Sequence, residues 1–209
     1  MNRFLYSLVL YFGIPFAIFR LLIKDTHDAS WIRKLKNQLG IVEKILGRVI
    51  WIHCVSVGEF NASKPLIEKL MSQYPNHQII ISTTTITGFN AVNNYYKNKV
   101  KHCFFPFDIP FIVDSFIRKI NPEICILLET EIWPNLIHTL KKKNIPSALI
   151  NARLSEKSFQ RYDKYSAKLV KASLNNLSLI CAQSSFSSDR FISLGANQEK
   201  IITTGSLKF

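Results

Sequence analysis

Short apolar runs alternate with longer amphipathic stretches over most of this chain, from residue 48 onward. Apolar runs bounded by polar turns predict buried strands, and the stretches between them predict helices. The predicted strands are Val49–Val55, Gln78–Thr83, His102–Phe105, Glu123–Leu128, Ser147–Ile150, Leu177–Ala182 and Lys200–Thr204. The predicted helices cover residues 60–73, 87–98, 110–119, 131–143, 155–173 and 184–194. This alternation predicts an α/β fold, a parallel sheet with helices on both faces.

The first part of the chain has a different pattern, because Phe4–Phe19 is uncharged and almost wholly apolar. A membrane anchor, a signal peptide and a core helix all fit such a run, but no small-residue cleavage site follows it. The flank after it is basic, which favours an anchor with the body of the protein on the cytoplasmic side. We therefore predict a membrane anchor helix over residues 1–23, a basic linker or helix over 24–47 and the α/β domain over 48–209.

Net charge limits the kind of partner that the protein has. The chain of 209 residues has a formal net charge of +13, which predicts an anionic partner such as a membrane surface or a phosphorylated substrate. Nucleic acid is disfavoured, because no RRM, helix-turn-helix or zinc motif is present. The four cysteines form no CxxC pair, so we expect buried free thiols and no metal site. They are Cys54, Cys103, Cys125 and Cys181.

The turn after the first predicted strand of the domain carries the strongest chemical signal. Small residues, among them Ser56 and Gly58, precede Glu59 where a helix is predicted to begin. In an open α/β sheet, ligands bind beyond the carboxyl ends of the strands, so Glu59 is placed for chemistry. A carboxylate at a helix N-terminus also complements the helix dipole, and the position alone does not separate the two interpretations. The turn matches neither GxGxxG nor a P-loop, which disfavours an ordinary dinucleotide site or an NTPase.

Other strand ends carry further polar side chains. Glu129 ends an apolar run and Glu131 follows it, although Glu131 could also cap the next helix. Arg153 follows the next strand and could pair with Glu129 or with an anionic ligand. Thr83 and Thr84 offer hydroxyls beside a helix start, where an anion could bind.

Some residues have a structural interpretation as well as a functional one. His53 could point into the site, or it could be a hydrogen-bonded core residue. The lysines at 141–143 are typical of a solvated helix end. Lys97, Lys99 and Lys101 could add to a basic face.

Four blocks in order resemble the amino-terminal half of the 3-deoxy-D-manno-octulosonic acid (Kdo) transferase family: His53–Phe60, Glu129–Asn135, Asn151–Ser155 and Gly205–Phe209. The resemblance implies the first of two Rossmann-like domains of a GT-B glycosyltransferase of lipopolysaccharide biosynthesis. Such an enzyme moves Kdo from CMP-Kdo to the lipid A precursor, lipid IVA, at the cytoplasmic face of the inner membrane. It implies an inverting reaction with no metal and no cofactor.

The resemblance also implies roles for particular residues. Glu59 corresponds to the general base that deprotonates the acceptor hydroxyl. We expect eight further residues of the blocks and of the strand ends to bind substrate. They are Ser56, Gly58, Thr83, Thr84, Glu129, Glu131, Arg153 and Lys208.

The resemblance covers only the acceptor-side half of such an enzyme. The donor-binding domain that holds most of the CMP-Kdo site would follow Phe209, and we expect the chain alone to be inactive. The alternative is a non-catalytic, membrane-associated module that binds the acceptor or a partner.

Overall fold

The computed structural model describes residues 1–23 and 29–207, in which seven parallel strands form one sheet of order β3-β2-β1-β4-β5-β6-β7. The strands are β1 (Arg48–His53), β2 (His77–Thr83), β3 (Lys101–Phe104), β4 (Ile124–Leu128), β5 (Ser147–Ala152), β6 (Leu179–Ala182) and β7 (Ile201–Thr203). The helices are α1 (Arg3–Ile23), α2 (Ala29–Gln38), α3 (Val57–Gln73), α4 (Ile86–Tyr96), α5 (Pro110–Ile120), α6 (Pro134–Lys142), α7 (Glu156–Asn176) and α8 (Ser185–Ser193).

The central strands supply both halves of the core, because successive side chains point to opposite faces of a sheet. In β1, Ile50 and Ile52 join the cluster that includes α3 and α4, whereas Val49 and Trp51 join the cluster with α5 to α8. Both clusters are almost fully buried. Strands buried on both faces become continuous apolar runs in the sequence, which is why the pattern predicted them. The predicted α/β fold with helices on both faces is confirmed.

Helix α2 covers the free edge of the sheet. Arg33 donates a hydrogen bond to the carbonyl oxygen of His102 at 2.8 Å, and Asn37 Oδ1 accepts one from the Phe104 N–H at 3.0 Å. These two side chains satisfy backbone groups that the edge strand β3 would otherwise leave exposed. The segment predicted as a basic linker or helix therefore includes a helix that closes the sheet.

Helix α1 contacts the domain through polar side chains and through Ile14, which packs with Ile109 and Ile112. The Tyr6 hydroxyl donates to Asp108 Oδ2 at 2.9 Å, and Ser7 Oγ lies 3.1 Å from Asn135 Oδ1. Its outer side is apolar, and Phe4 and Phe12 are each 77% exposed. In the part of the chain that the structure describes, no helix combines the length and the apolar character needed to cross a bilayer.

All predicted strands and helices of the domain are present, with small shifts at their ends. Strand β1 ends at His53 rather than Val55, because the Val55 N–H binds the Glu59 side chain instead of a neighbouring strand. Helix α6 begins at Pro134 rather than at 131, and Glu131 does not cap it. Its cap is Asp108, whose carboxylate accepts the N–H groups of Asn135 and Leu136 at 3.0 and 2.7 Å.

Candidate active site

The strand order reverses between β1 and β4. Strand β1 is followed in sequence by β2 on one side, and its other neighbour in the sheet is β4. In open α/β sheets, ligands bind in the crevice beyond the carboxyl ends of the strands at such a point. The segments 54–59 and 129–133 leave the sheet there. This crevice is therefore the candidate active site.

Glu59 lies at the rim of this crevice, in the first turn of α3. Its Oε2 accepts a hydrogen bond of 2.8 Å from the backbone N–H of Val55, and the side chain is half-buried. The bond closes the turn between β1 and α3 and fixes the direction of the carboxylate. A carboxylate that complements the helix dipole and one that is placed for chemistry would both have this geometry, in which a backbone N–H holds Glu59 at the crevice.

The small residues before Glu59 shape the turn without adding hydrogen bonds to the helix. Ser56 is the N-cap of α3 in an extended conformation, and its side chain makes no capping hydrogen bond. Gly58 is exposed, and a Cβ added there would lie 3.8 Å from Ser56 Oγ, which is an ordinary contact. Sterics therefore do not require glycine at 58. A substrate-binding role for Ser56 and Gly58 stays a prediction.

Cys54 lies beside this turn but is not a nucleophile. Burial raises the pKa of its thiol to about 12, so the thiol keeps its proton at neutral pH, whereas nucleophilic attack needs the thiolate. Its Sγ lies 3.4 Å from Ser63 Oγ. All four cysteines are free and buried, as the sequence predicted.

The end of β4 places two further carboxylates at the crevice. Glu129 directly follows β4 in the left-handed conformation, with φ +55°, and is half-buried. Glu131 Oε2 accepts a 2.6 Å hydrogen bond from the indole N–H of Trp133. An indole donor is neutral, so this bond orients the carboxylate and leaves its charge uncompensated by that contact.

His53 belongs to the core, and one edge of its ring reaches the site. It is fully buried, its ring stacks on Phe105 at 3.8 Å between centroids, and Nδ1 lies 2.9 Å from Ser82 Oγ. Its Nε2 lies 3.7 Å from Glu131 Oε2, which is beyond hydrogen-bond range. His53 is therefore a core residue, and its Nε2 edge also lies near the Glu131 carboxylate.

The hydroxyls at the end of β2 are used within the fold. Thr83 Oγ1 donates to the carbonyl of Thr85 at 3.2 Å and lies 2.9 Å from His102 Nε2. Thr84 Oγ1 donates to the carbonyl of Val55 at 3.0 Å. The structure thus gives both hydroxyls protein partners, and Thr84 ties the end of β2 to the Glu59 turn. Their binding of substrate stays a prediction.

Asn151, near the end of β5, is a candidate site residue that sequence reasoning did not single out. It is buried, in the left-handed conformation with φ +53°, and its Oδ1 accepts hydrogen bonds from Gln183 Nε2 and the Leu207 N–H at 3.2 and 3.1 Å. Gln183 Nε2 also donates to Ser206 Oγ at 2.7 Å. These bonds hold residues 206–207 against the ends of β5 and β6. The available signal was its position, a polar residue that ends an apolar strand.

Arg153 and Lys208 are the remaining predicted site residues. Arg153 is exposed, its carbonyl oxygen accepts the Thr130 hydroxyl, and it takes part in none of the ion pairs among the described residues. Its side chain therefore lies at the surface and is not held by an ion pair with Glu129. Lys208 lies outside the described residues.

The family of the chain follows from its sequence. Residues 32–209 match the family described as 3-Deoxy-D-manno-octulosonic-acid transferase (kdotransferase). The chain belongs to this family. The match includes every strand of the sheet and begins within α2, so the helix that closes the sheet edge falls mostly within the matched domain.

Relatives of known name agree with the family. A 3-deoxy-D-manno-octulosonic acid transferase of Haemophilus influenzae is 42% identical over 160 residues, which are 77% of this chain and 37% of that protein. A probable mitochondrial 3-deoxy-D-manno-octulosonic acid transferase of Arabidopsis thaliana is 37% identical over 88% of this chain and 41% of its own length. The chain thus spans less than half of the length of either relative.

Solved structures share the fold. UDP-GlcNAc 2-epimerase from Neisseria meningitidis, bound to UDP-GlcNAc, superposes with a TM-score of 0.55 at 14% identity, over 77% of this chain and 47% of the epimerase. A UDP-N-acetylglucosamine 2-epimerase from Listeria monocytogenes, described as putative, gives 0.55 at 12% identity, over 78% of this chain and 45% of its own. At such low identity the likeness concerns the Rossmann-like fold alone.

Proposed function

We propose that the chain is the acceptor-side half of a GT-B enzyme of lipopolysaccharide biosynthesis that transfers Kdo from CMP-Kdo to lipid IVA. The observation that carries this proposal is the place of Glu59, held by the Val55 N–H at the strand-order reversal of a Kdo transferase family domain. Glu129 and Glu131 directly follow β4, at the same edge of the sheet. The other half of the enzyme would supply most of the CMP-Kdo site.

In the proposed reaction, Glu59 acts as a general base. Its carboxylate takes the proton of an acceptor hydroxyl while that oxygen attacks the anomeric carbon of Kdo and CMP leaves. One base suffices for such a single displacement, which inverts the anomeric centre and needs neither a covalent nucleophile nor a metal. The Val55 N–H keeps the carboxylate aimed at the crevice through the reaction. Glu129, Glu131 and Arg153 would position the two sugars.

Helix α1 supports a location at the membrane surface. Polar side chains on one side hold it to the domain, whereas Phe4 and Phe12 on the other side are largely exposed. Phe111 of α5 is 61% exposed and stacks on Tyr11 at 6.1 Å, so the apolar surface continues from α1 onto the domain. A surface of this kind binds the headgroup region of a bilayer, and the net charge of +13 favours anionic lipids. We place the protein at the cytoplasmic face of the inner membrane.

The transferase proposal is tested by joining the chain to the second half of the Haemophilus influenzae relative and measuring transfer from CMP-Kdo to lipid IVA. Glu59→Gln should lower the rate by roughly 10²- to 10⁴-fold, the usual contribution of a general base. The matched control is Glu68→Gln on the exposed side of the same helix, which should leave the rate unchanged. A Glu59→Gln enzyme as fast as the Glu68→Gln enzyme would exclude Glu59 as the base.

A further inference from the structure

A cavity of about 850 Å³ opens at the β3 edge of the sheet, away from the crevice. Its walls come from α2, the segment 41–45, the end of α4 and the beginning of β3, and none of the candidate site residues lines it. Ligand sites in proteins have volumes of roughly 300–1,000 Å³, so the cavity is large enough for one small ligand.

The wall formed by α2 has a fixed positive charge. The Arg33 guanidinium donates to the carbonyl of His102 at 2.8 Å and lies 5.2 Å from the centroid of the Phe89 ring. Its position is therefore set by the edge strand and by an aromatic face, not by solvent. An immobilised guanidinium binds an anion with less loss of side-chain entropy than a free one.

The charge of the lining is mostly positive. Among the described residues that line the cavity there are four cationic side chains and one carboxylate, that of Glu43. The cations come from three elements: Arg33 and Lys36 from α2, Lys97 from the end of α4, and Lys101 from β3. The alternating lysines at 97, 99 and 101, which the sequence suggested as part of a basic face, thus contribute two of them. This arrangement favours a phosphate or another compact anion.

The inner part of the cavity is aliphatic. Ile80, Val100, Cys103 and Ile120 line it and are each at most 8% exposed. Among the described lining residues the only ring is the imidazole of His102, so a nucleobase would find no aromatic face on which to stack. An aliphatic wall fits an alkyl chain.

One wall of the cavity includes a buried imidazole. His102 Nε2 lies 2.9 Å from Thr83 Oγ1, and among the described residues Nδ1 has no hydrogen-bond partner. The residue is 7% exposed and lines the cavity beside Cys103. His102 thus adds a polar ring to the otherwise aliphatic part of the wall.

We propose that this cavity binds one molecule of an anionic amphiphile, with its phosphate among Arg33, Lys97 and Lys101 and its alkyl part against the aliphatic wall. Glycerophospholipids and phosphorylated glycolipids share this chemistry of a phosphate joined to alkyl chains. The proposal does not depend on the transferase function, because it uses none of the residues of the crevice.

The test is calorimetric titration of the whole chain at low ionic strength with lipids that stay monomeric. One arm uses dihexanoyl phosphatidylglycerol, a second uses a monophosphorylated glucosamine with one short acyl chain, and a third uses glycerol phosphate alone. A fourth titration, with dibutyryl phosphatidylglycerol, measures how much the alkyl chains contribute to binding. The dihexanoyl lipid should bind at least about fourfold more tightly than the dibutyryl lipid, the gain expected for one buried CH₂.

Substitutions place the binding in the cavity. Lys97→Glu with Lys101→Glu should weaken binding of the dihexanoyl lipid by roughly tenfold or more, since two attractions become repulsions. The control is Lys142→Glu with Lys168→Glu, two exposed lysines outside the cavity that give the same change in net charge. Lys36→Glu on α2 is a second, independent cavity variant and should also weaken binding of the dihexanoyl lipid.

Each outcome decides the proposal. Selective loss of binding in the cavity variants supports it, and comparison of the two lipid arms identifies the source of the ligand. Equal weakening in the Lys142/Lys168 control would mean a general electrostatic effect and would overturn the proposal. The proposal would also be overturned if glycerol phosphate bound as tightly as the lipids. It would be overturned as well if neither lipid gave a heat of binding.

Discussion

Two buried titratable side chains, Asp108 and His102, give the protein opposite pH dependences of stability that single substitutions should separate. Asp108 is 3% exposed, and burial raises the pKa of its carboxyl to about 7, although Asn135, Leu136 and Tyr6 donate hydrogen bonds to it and Arg3 is near. Burial, and next the charge of Arg33, lowers the pKa of His102 to about 3.

The direction of each effect follows from proton linkage. The folded state binds the Asp108 proton more tightly than the unfolded state does, so this group stabilises the protein at low pH and loses that contribution as pH rises from about 4 to 7. The folded state binds the His102 proton more weakly, so this group costs stability as pH falls below about 6.5. Between pH 7 and pH 5 each effect amounts to about 2 kcal/mol, and the two nearly cancel.

The assay is urea unfolding at pH 7 and pH 5, which gives the free energy of unfolding at each pH. On acidification to pH 5, Asp108→Asn should lose about 2 kcal/mol relative to the wild type, because only the His102 effect remains. His102→Gln should gain about 2 kcal/mol relative to the wild type. The readout is the difference between the two pH values, so the lower overall stability of a variant does not disturb it. Variants with the same pH dependence as the wild type would refute the reasoning.

Two further predictions concern the membrane and the backbone. Phe4→Ser and Phe12→Ser should each weaken binding to anionic vesicles by about tenfold in a flotation assay, from a lost burial of about 1.5 kcal/mol, whereas Phe186→Ser, which is equally exposed on α8, should not. Unchanged flotation would remove the membrane role of α1. Gly88→Ala should cost roughly 1–3 kcal/mol in thermal unfolding, since its Cβ would lie 3.0 Å from Thr85 Oγ1 and 3.1 Å from Thr83 Cβ. Gly58→Ala should cost nothing, and equal stability of the two variants would contradict this steric argument.

Most of the fold could be predicted from the sequence because its signals are local. A strand such as β4 is buried on both faces, so its residues form an apolar run that can be recognised without its neighbours. The Glu59 turn was recognisable for the same reason, since the strand, the small residues and the carboxylate are contiguous. That the Glu59 turn lies next to the end of β4 depends on the strand order, which the structure supplies.

Contacts between distant segments could not be predicted in this way. Asp108 caps α6 from 27 positions earlier in the chain, and no local pattern distinguishes such a cap from a loop aspartate. Arg33 and Asn37 satisfy the edge of β3 from a segment that the sequence predicted as a basic linker or helix, without indicating what it contacts. In each case the sequence shows a polar residue, whereas the partner that explains it is fixed only when the chain folds.

Left-handed backbone conformations mark the candidate site more sharply than composition does. Among the described residues, five that are not glycine have positive φ: Lys97, Asn121, Glu129, Asn144 and Asn151. Lys97, Asn121 and Asn144 lie where α4, α5 and α6 end, and helices often end at a residue with positive φ. Glu129 and Asn151 instead lie at the carboxyl ends of the adjacent strands β4 and β5, where no helix ends. A side chain in this conformation costs energy, and such residues cluster at functional sites. We therefore predict that the crevice extends from the Glu59 turn across β4 to β5 and includes Asn151 together with Glu129.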